Sequence, residues 1–331
     1  MMAAGARCIS CSQMASLDTL SADYRTITEA CGLLDRSEHG KLALTGSDAR
    51  SFLQGQVTND VESLPAGRGC YAAFLTPKGK MLGDLRILAT DDELLLDTER
   101  VALQGLFNMI RRFSIGYDVE LHKRTLERGL LSLIGPGASE VAGALDLPTD
   151  EHAHALIEVP STGVVARAIR TDVGVDLLCD AADTDALRAA LEDAGAPTVS
   201  EAAVECLRVE HGRPRYGIDL DDSVIPQEAG LNERAVSFTK GCYVGQETVA
   251  RLYYRGKPNR QLRGLRLSAP ASSGDELSFE GRVVGHLATV AESPRLGRIA
   301  LALVRREAPP GTTVAVRDGG GVTGEVSELP F

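Results

Sequence analysis

The sequence predicts an α+β protein built as two lobes of related pattern followed by a small β-barrel. A chain of 331 residues is too long for one small core. Two successive stretches mix helical and alternating apolar periods in the same rhythm, and beyond Pro258 short apolar runs alternate with Gly, Pro and Asp turns.

In the first lobe, spanning 21–125, residues 41–45 read as a strand, and Ser47 offers an N-cap for a helix through Leu53 that stops at Gly55. Residues 71–76 and 80–88 form a hairpin whose turn, Pro77-Lys78-Gly79, combines proline's fixed φ with glycine's access to positive φ. Residues 93–97 add a strand, 99–113 carry Leu103, Leu106, Phe107 and Ile110 at helical spacing, and 119–121 return as strand. The second lobe, 126–200, repeats the rhythm with strands near 130–134, 163–170 and 175–179 and helices near 139–145 and 185–194. A segment over 201–257 opens with a helix framed by Ser200 as cap, Gly212 past its end and Pro214 beyond. The barrel, 258–331, has strands near 261–268, 282–290, 297–304 and 313–316.

Composition narrows the setting. No window reaches the ~18 consecutive apolar residues of a membrane span, and the opening residues lack the apolar block of a secretory signal. The 7 cysteines are odd in number and scattered, which argues for a reducing compartment rather than a disulfide framework. Lys and Arg total 35 against 46 Asp and Glu, so a net charge of -11 repels nucleic acid and anionic membranes, and an anionic ligand must rely on a local basic patch. A cytoplasmic protein is expected. Residues 1–20 read as a flexible Ala- and Ser-rich tail, with faint transit-segment character that would instead imply an organellar matrix. Cys8 and Cys11 have the spacing of half a zinc or redox site with no second pair, and His152 and His154 lack a completing carboxylate pattern. No metal site is expected, and both histidines read as exposed.

The chemistry concentrates in Lys240-Gly241-Cys242-Tyr243-Val244-Gly245-Gln246-Glu247, a glycine loop that runs into a helix. Val249, Leu252 and Tyr253 form an apolar stripe on that helix, and Arg255, Gly256 and Pro258 stop it. Cys242 is expected just ahead of the helix amino terminus, where unpaired N–H groups and Lys240 would favour a thiolate. The competing reading makes Cys242 a small buried hydrophobe.

The motif KGCYVGQE resembles the signature of the YgfZ-type folate-binding proteins, a branch of the aminomethyltransferase superfamily. Supporting stretches are TGSDA at 45–49, VTNDV at 57–61, LRVEHG at 207–212, YGID at 216–219 and PQEAGL at 226–231, so the resemblance covers about residues 30–331. It implies two ferredoxin-like lobes and a barrel around a folate cavity. It also implies a tetrahydrofolate, plain or one-carbon-substituted, as ligand, and iron-sulfur client or assembly proteins as partners.

A pterin is a flat ring with adjacent N–H donors, so its site needs a carboxylate or carbonyl pair, an apolar wall and cations for the glutamate tail. The resemblance assigns Asp84 and Arg208 to that pocket and extends it to Tyr243 and Glu228. Strand alternation places Leu82, Asp84, Arg86 and Leu88 on one face, where an Asp84–Arg86 ion pair competes with the folate role; for Arg208 the competing reading is a solvated pair with Glu205. Asp172 stands where aminomethyltransferases carry a pterin-holding glutamate, and Cys242 stands where they usually carry an aromatic residue. Arg251, Arg255, Lys257, Arg260, Arg263 and Arg266 form a basic run suited to a polyglutamate tail or an acidic partner, or simply a solvated face. The leading expectation is folate-dependent assembly or repair of iron-sulfur proteins, with the Cys242 thiolate at the cavity rim ligating iron, carrying sulfur or exchanging thiols. One-carbon transfer of the glycine-cleavage type, and a scaffold that has lost its ligand, are the alternatives.

Overall fold

A computed structural model describes residues 11–160, 162–317 and 321–331, with side chains from residue 18 onward. The chain opens with a helix, α1 (Cys11–Glu29), and a short strand, β1 (Gly32–Asp35). The tail expected through residue 20 therefore gives way to helix from Cys11, while Cys8, the Cys11 side chain and the transit-segment question lie outside the described residues. Tyr24 and Ile27 of α1 are buried against a later helix, an anchorage between distant segments that no local pattern announces.

The first lobe contains β2 (Gly40–Thr45), α2 (Ala49–Gln54), β3 (Arg68–Leu75), β4 (Met81–Ala89), β5 (Leu94–Thr98), α3 (Leu103–Phe113) and β6 (Glu120–Lys123). Its antiparallel sheet has the order β3-β4-β5-β2-β6, and Phe52, Phe74, Leu85, Ile87 and Leu106 fill the core beneath its helices. Ser47 does not cap α2: its backbone N–H and hydroxyl bond Asp118, and Asp48 stands at the cap with its carboxylate turned to the Asp118 N–H rather than to the helix. The β3–β4 hairpin turns through Gly79 at φ +76°, and its register slips between Phe74 and Leu75. That slip moves Leu82 onto the core face, away from Leu88, so the expected four-residue face breaks at its first member.

The second lobe contains β7 (Arg128–Ile134), α4 (Ala138–Ala142), β8 (His154–Glu158), β9 (Val165–Arg170), β10 (Gly174–Asp180) and α5 (Thr184–Asp193). Its sheet has the order β1-β7-β10-β9-β8, so the strand ahead of the first lobe completes the second. Residues 32–35 fall within the stretch 21–125 read as the first lobe, yet they pair with β7, where their apolar side chains Leu33 and Leu34 are buried. Between the two sheets Ala43, Leu88 and Leu95 meet Ile169 and Leu178.

A connector follows, with α6 (Glu201–Glu210), α7 (Asn232–Ala235) and α8 (Gln246–Arg255), then β11 (Arg260–Leu267), β12 (Glu276–Phe279), β13 (Arg282–Ser293), β14 (Gly297–Arg305), β15 (Thr313–Val316) and β16 (Val322–Ser327). These six strands close into a barrel in the order β11-β14-β13-β12-β15-β16, around Leu265, Leu277, Val314 and Val316. Closure leaves no open sheet edge in this domain. Glu210 ties the two ends of the chain together: buried, it accepts from the Tyr24 hydroxyl of α1 at 2.8 Å and from Arg295 at 2.7 Å. Among the described residues no helix is long and apolar enough to cross a membrane.

Candidate functional site

A cavity of about 240 Å³ opens where the inner faces of both lobes meet the connector. Asp84 of β4 lines it and is 5% exposed. The Tyr71 hydroxyl, from the neighbouring strand β3, donates to Asp84 Oδ2 at 2.7 Å. Burial pushes the Asp84 carboxyl up to about 6; Glu99 adds to the rise, while the Tyr71 hydrogen bond and Arg234 oppose it. The expected Asp84–Arg86 ion pair does not form. Arg86 reaches across instead, to Asp97 at 2.7 Å and to Asp176 of the second lobe at 2.6 Å.

Around this carboxylate the cavity wall carries ion pairs. Arg215 holds Glu99 at 3.0 Å, Arg213 holds Asp172 at 2.7 Å, and Arg234 pairs with Glu151. Asp84 is set apart from these pairs, because its partner is a neutral hydroxyl. An acceptor with a lone hydroxyl donor, walled by Tyr71, Leu85 and Ile134, suits a flat ligand that presents N–H groups.

The other candidates divide. Arg208 lines the cavity, but all five of its N–H groups are engaged: two on Glu205, and the rest on Asp219, Thr289 and the Arg213 carbonyl. The expected pair with Glu205 forms at 2.7 Å, but it is largely shielded from solvent rather than solvated, and Arg208 bolts α6 to the barrel instead of offering a free cation to a ligand. Asp172 sits at the cavity edge with Arg213 as its partner. Glu228 lies elsewhere, pairing with Arg260 at 3.0 Å and accepting from the Ile225 N–H in a separate cleft beside the barrel. Tyr243 is a core residue packed with Leu75, Met81 and Val249, so its assignment to the pocket is corrected.

The signature loop also departs from expectation. Cys242 is exposed, and it does not line the cavity. It precedes Gly245, the cap of α8, by three residues, beyond the first helical turn to which the helix dipole's influence is largely confined. Lys240 turns away from it: the ammonium donates to the carbonyls of Gln54, Val57 and Asn59 at 2.6–2.8 Å, and burial lowers its pKa to about 8. Of the two features expected to hold a thiolate at the cavity rim, Lys240 thus serves other partners and the helix start lies three residues away, and Cys242 stands outside the cavity lining. The buried-hydrophobe alternative fails as well, because the thiol faces solvent.

His152 and His154 are also corrected. His154 is 3% exposed, with its ring nitrogens on the Arg68 carbonyl and Arg167, and burial lowers its pKa to about 4. His152 lines the cavity at φ +69°, its pKa lowered to about 3 by burial and by Arg86 and Arg234. The basic run splits: Arg260 and Arg263 pair with Glu228 and Glu328 and Arg266 lies over Phe331, whereas Arg251, Arg255 and Lys257 are exposed on and beyond α8.

Sequence reasoning missed Tyr71, Glu99 and Arg234. Tyr71 was within reach, since the hairpin pairs Ala73 with Asp84 and so puts Tyr71 diagonally across from it. Arg234 had no such signal, lying about 150 residues from Asp84.

Two five-stranded antiparallel lobes and a closed barrel, with a carboxylate in the cavity beside the connector, define the aminomethyltransferase-like fold class. The GCVT N-terminal domain family matches residues 11–240, and the glycine cleavage T-protein C-terminal barrel domain matches residues 260–331. The chain belongs to the glycine cleavage T-protein family. It is similar to a chloroplast protein of Arabidopsis thaliana that bears a provisional transferase name, 30% identical over 308 residues, covering 90% of this chain and 71% of that one. The fold matches the glycine cleavage system aminomethyltransferase T of Bartonella henselae with a TM-score of 0.82 at 23% identity, over 94% of this chain and 89% of that one.

Proposed function

We propose that the chain binds a reduced folate in the cavity between the lobes, with Asp84 accepting from the N–H groups of the pterin ring. The observation that carries this reading is the single carboxylate with no cationic partner, buried in an aromatic-walled cavity of a T-protein-family chain. At about 240 Å³ the cavity lies near the lower end of ligand pockets, roughly 300 Å³, which suits a ring system held inside with its glutamate tail outside. Titration calorimetry with tetrahydrofolate tests it. Binding weakened about tenfold, roughly 1.4 kcal/mol, by Asp84→Asn is expected. No heat with any reduced folate would remove the proposal and favour a ligand-free scaffold.

The signature KGCYVGQE supports the finer reading that this folate protein serves the assembly or repair of iron-sulfur proteins. The exposed Cys242 then acts on a docked partner protein at the surface, apart from the cavity. Cys242→Ala should fold normally and fail to restore iron-sulfur enzyme activity in a deletion strain; full restoration would remove the thiol from the function. The family membership favours a second reading, folate-dependent aminomethyl transfer. Turnover with a lipoyl carrier protein, abolished by Asp84→Asn, would establish that reading instead.

A further inference from the structure

Arg234 of α7 lies over the Tyr71 ring, 5.3 Å from its centroid, and the Tyr71 hydroxyl donates to Asp84 at 2.7 Å. The Asn59 amide ties the two together by donating to the carbonyls of Tyr71 at 2.8 Å and Arg234 at 3.3 Å. On its other side Arg234 pairs with Glu151 of the second lobe. A continuous line of contacts thus runs from one lobe, through the connector, to the carboxylate of the other lobe.

We propose that Arg234 is a positioning residue for Asp84: acting through Tyr71, it directs the carboxylate into the cavity and favours its anionic form, while Glu151 moderates that influence by sharing the guanidinium charge. The proposal rests on the reading of this cavity as a folate site, where an anionic Asp84 is the stronger acceptor for ring N–H groups. The groups that face the cavity with Asp84 are Tyr71 on β3, Arg86 on β4, Asp97 on β5, Glu99 beyond it, Arg208, Arg213, Arg215 and Tyr216 from the connector, Arg234, and Arg36, His39, Glu151, His152, Asp172 and Asp176. Most are held in ion pairs of their own. Burial and Glu99 raise the Asp84 pKa, and the Tyr71 hydrogen bond, a backbone hydrogen bond and the Arg234 charge oppose that rise.

The geometry makes the signs of three substitutions differ. Arg234→Gln and Tyr71→Phe each remove a group that favours the anion, so the Asp84 titration moves to higher pH. Glu151→Gln frees the Arg234 charge, so the titration moves to lower pH. If the pair served only to hold the lobes together, breaking it from either end would act in one direction.

Carboxyl carbon NMR of the ligand-free protein, with the Asp84 signal assigned by its loss in Asp84→Asn, reads the titration directly. Shifts of about half a pH unit or more, upward for Arg234→Gln and downward for Glu151→Gln, are expected, with Arg234→Lys close to wild type. Unmoved midpoints, or shifts of the same sign from both ends, would overturn the proposal. A parallel tetrahydrofolate titration separates the two levels. If the midpoints move as stated while the wild type binds no reduced folate, the positioning role stands and the ligand reading falls; if folate binds while the midpoints stay fixed, the reverse holds.

Discussion

Asp84 shows how a buried carboxylate costs stability. Its carboxyl is raised to about 6, chiefly by burial, so the folded state binds this proton more tightly than the unfolded chain. Stability from this group is therefore fully present below the ordinary carboxylate range and is lost as the pH rises through about 6. Asp84→Asn should raise the unfolding free energy by on the order of 3 kcal/mol at pH 8 and change it little at pH 4, as measured by urea denaturation. Equal effects at both values would show that the carboxylate is solvated rather than buried. Lys240 teaches the complementary lesson. A cation that looks like a catalytic neighbour in the sequence is used to satisfy three carbonyls at the end of α2 and in the loop after it, because buried carbonyls left without donors are costly.

At the scale of elements, the signature loop is shaped by close backbone approach more than by chemistry at its cysteine. Gly245 caps α8 at φ +85°, and a Cβ there would lie 2.6 Å from the Thr76 carbonyl oxygen. Gly79, at the hairpin turn, would likewise place a Cβ 2.8 Å from Thr248. Two glycines of two elements are thus what let the β3–β4 turn dock on α8. Gly245→Ala should cost about 2 kcal/mol or more, from the left-handed backbone and the displaced turn together, whereas Gly241→Ala, with nothing within 4 Å, should be mild. Thermal melts of the two variants check this, and equal losses would contradict the docking. The helix itself buries only Val249 fully, while Tyr253 stacks on Phe238 at 3.7 Å and Tyr254 stays exposed. A helix held by so little depends on its glycine-shaped start.

Across the whole molecule, the lobes are joined by Arg86, which crosses from β4 to Asp176 on β10 while holding Asp97 in its own sheet. The Arg86 guanidinium, with His39, outweighs burial and holds the Asp97 carboxyl well below the usual carboxylate range. This stability is present at neutral pH and is lost as the pH falls through the ordinary carboxylate range toward the depressed value. Arg86→Met would strand the carboxylates of Asp176, which is buried, and Asp97, which is half-buried. A loss of roughly 3–5 kcal/mol is expected at pH 7, narrowing as the pH falls and the carboxylates take up protons. A loss below about 1 kcal/mol would mean that the lobes are held by apolar contact alone.

The order of elements, the hairpin, the barrel and the candidate Asp84 were legible in the residues, because turn chemistry and apolar period are local properties of a chain. The sequence by itself determined the α+β, α+β, β succession and the family signature. Tertiary structure alone decided that β1 completes the second sheet, that Arg208 and Lys240 are saturated by distant carboxylates and carbonyls, and that Cys242 stands outside the cavity. The reason is physical: which donor meets which acceptor depends on segments separated by 11 residues in one case and 186 in another, and only packing brings such segments within a hydrogen bond.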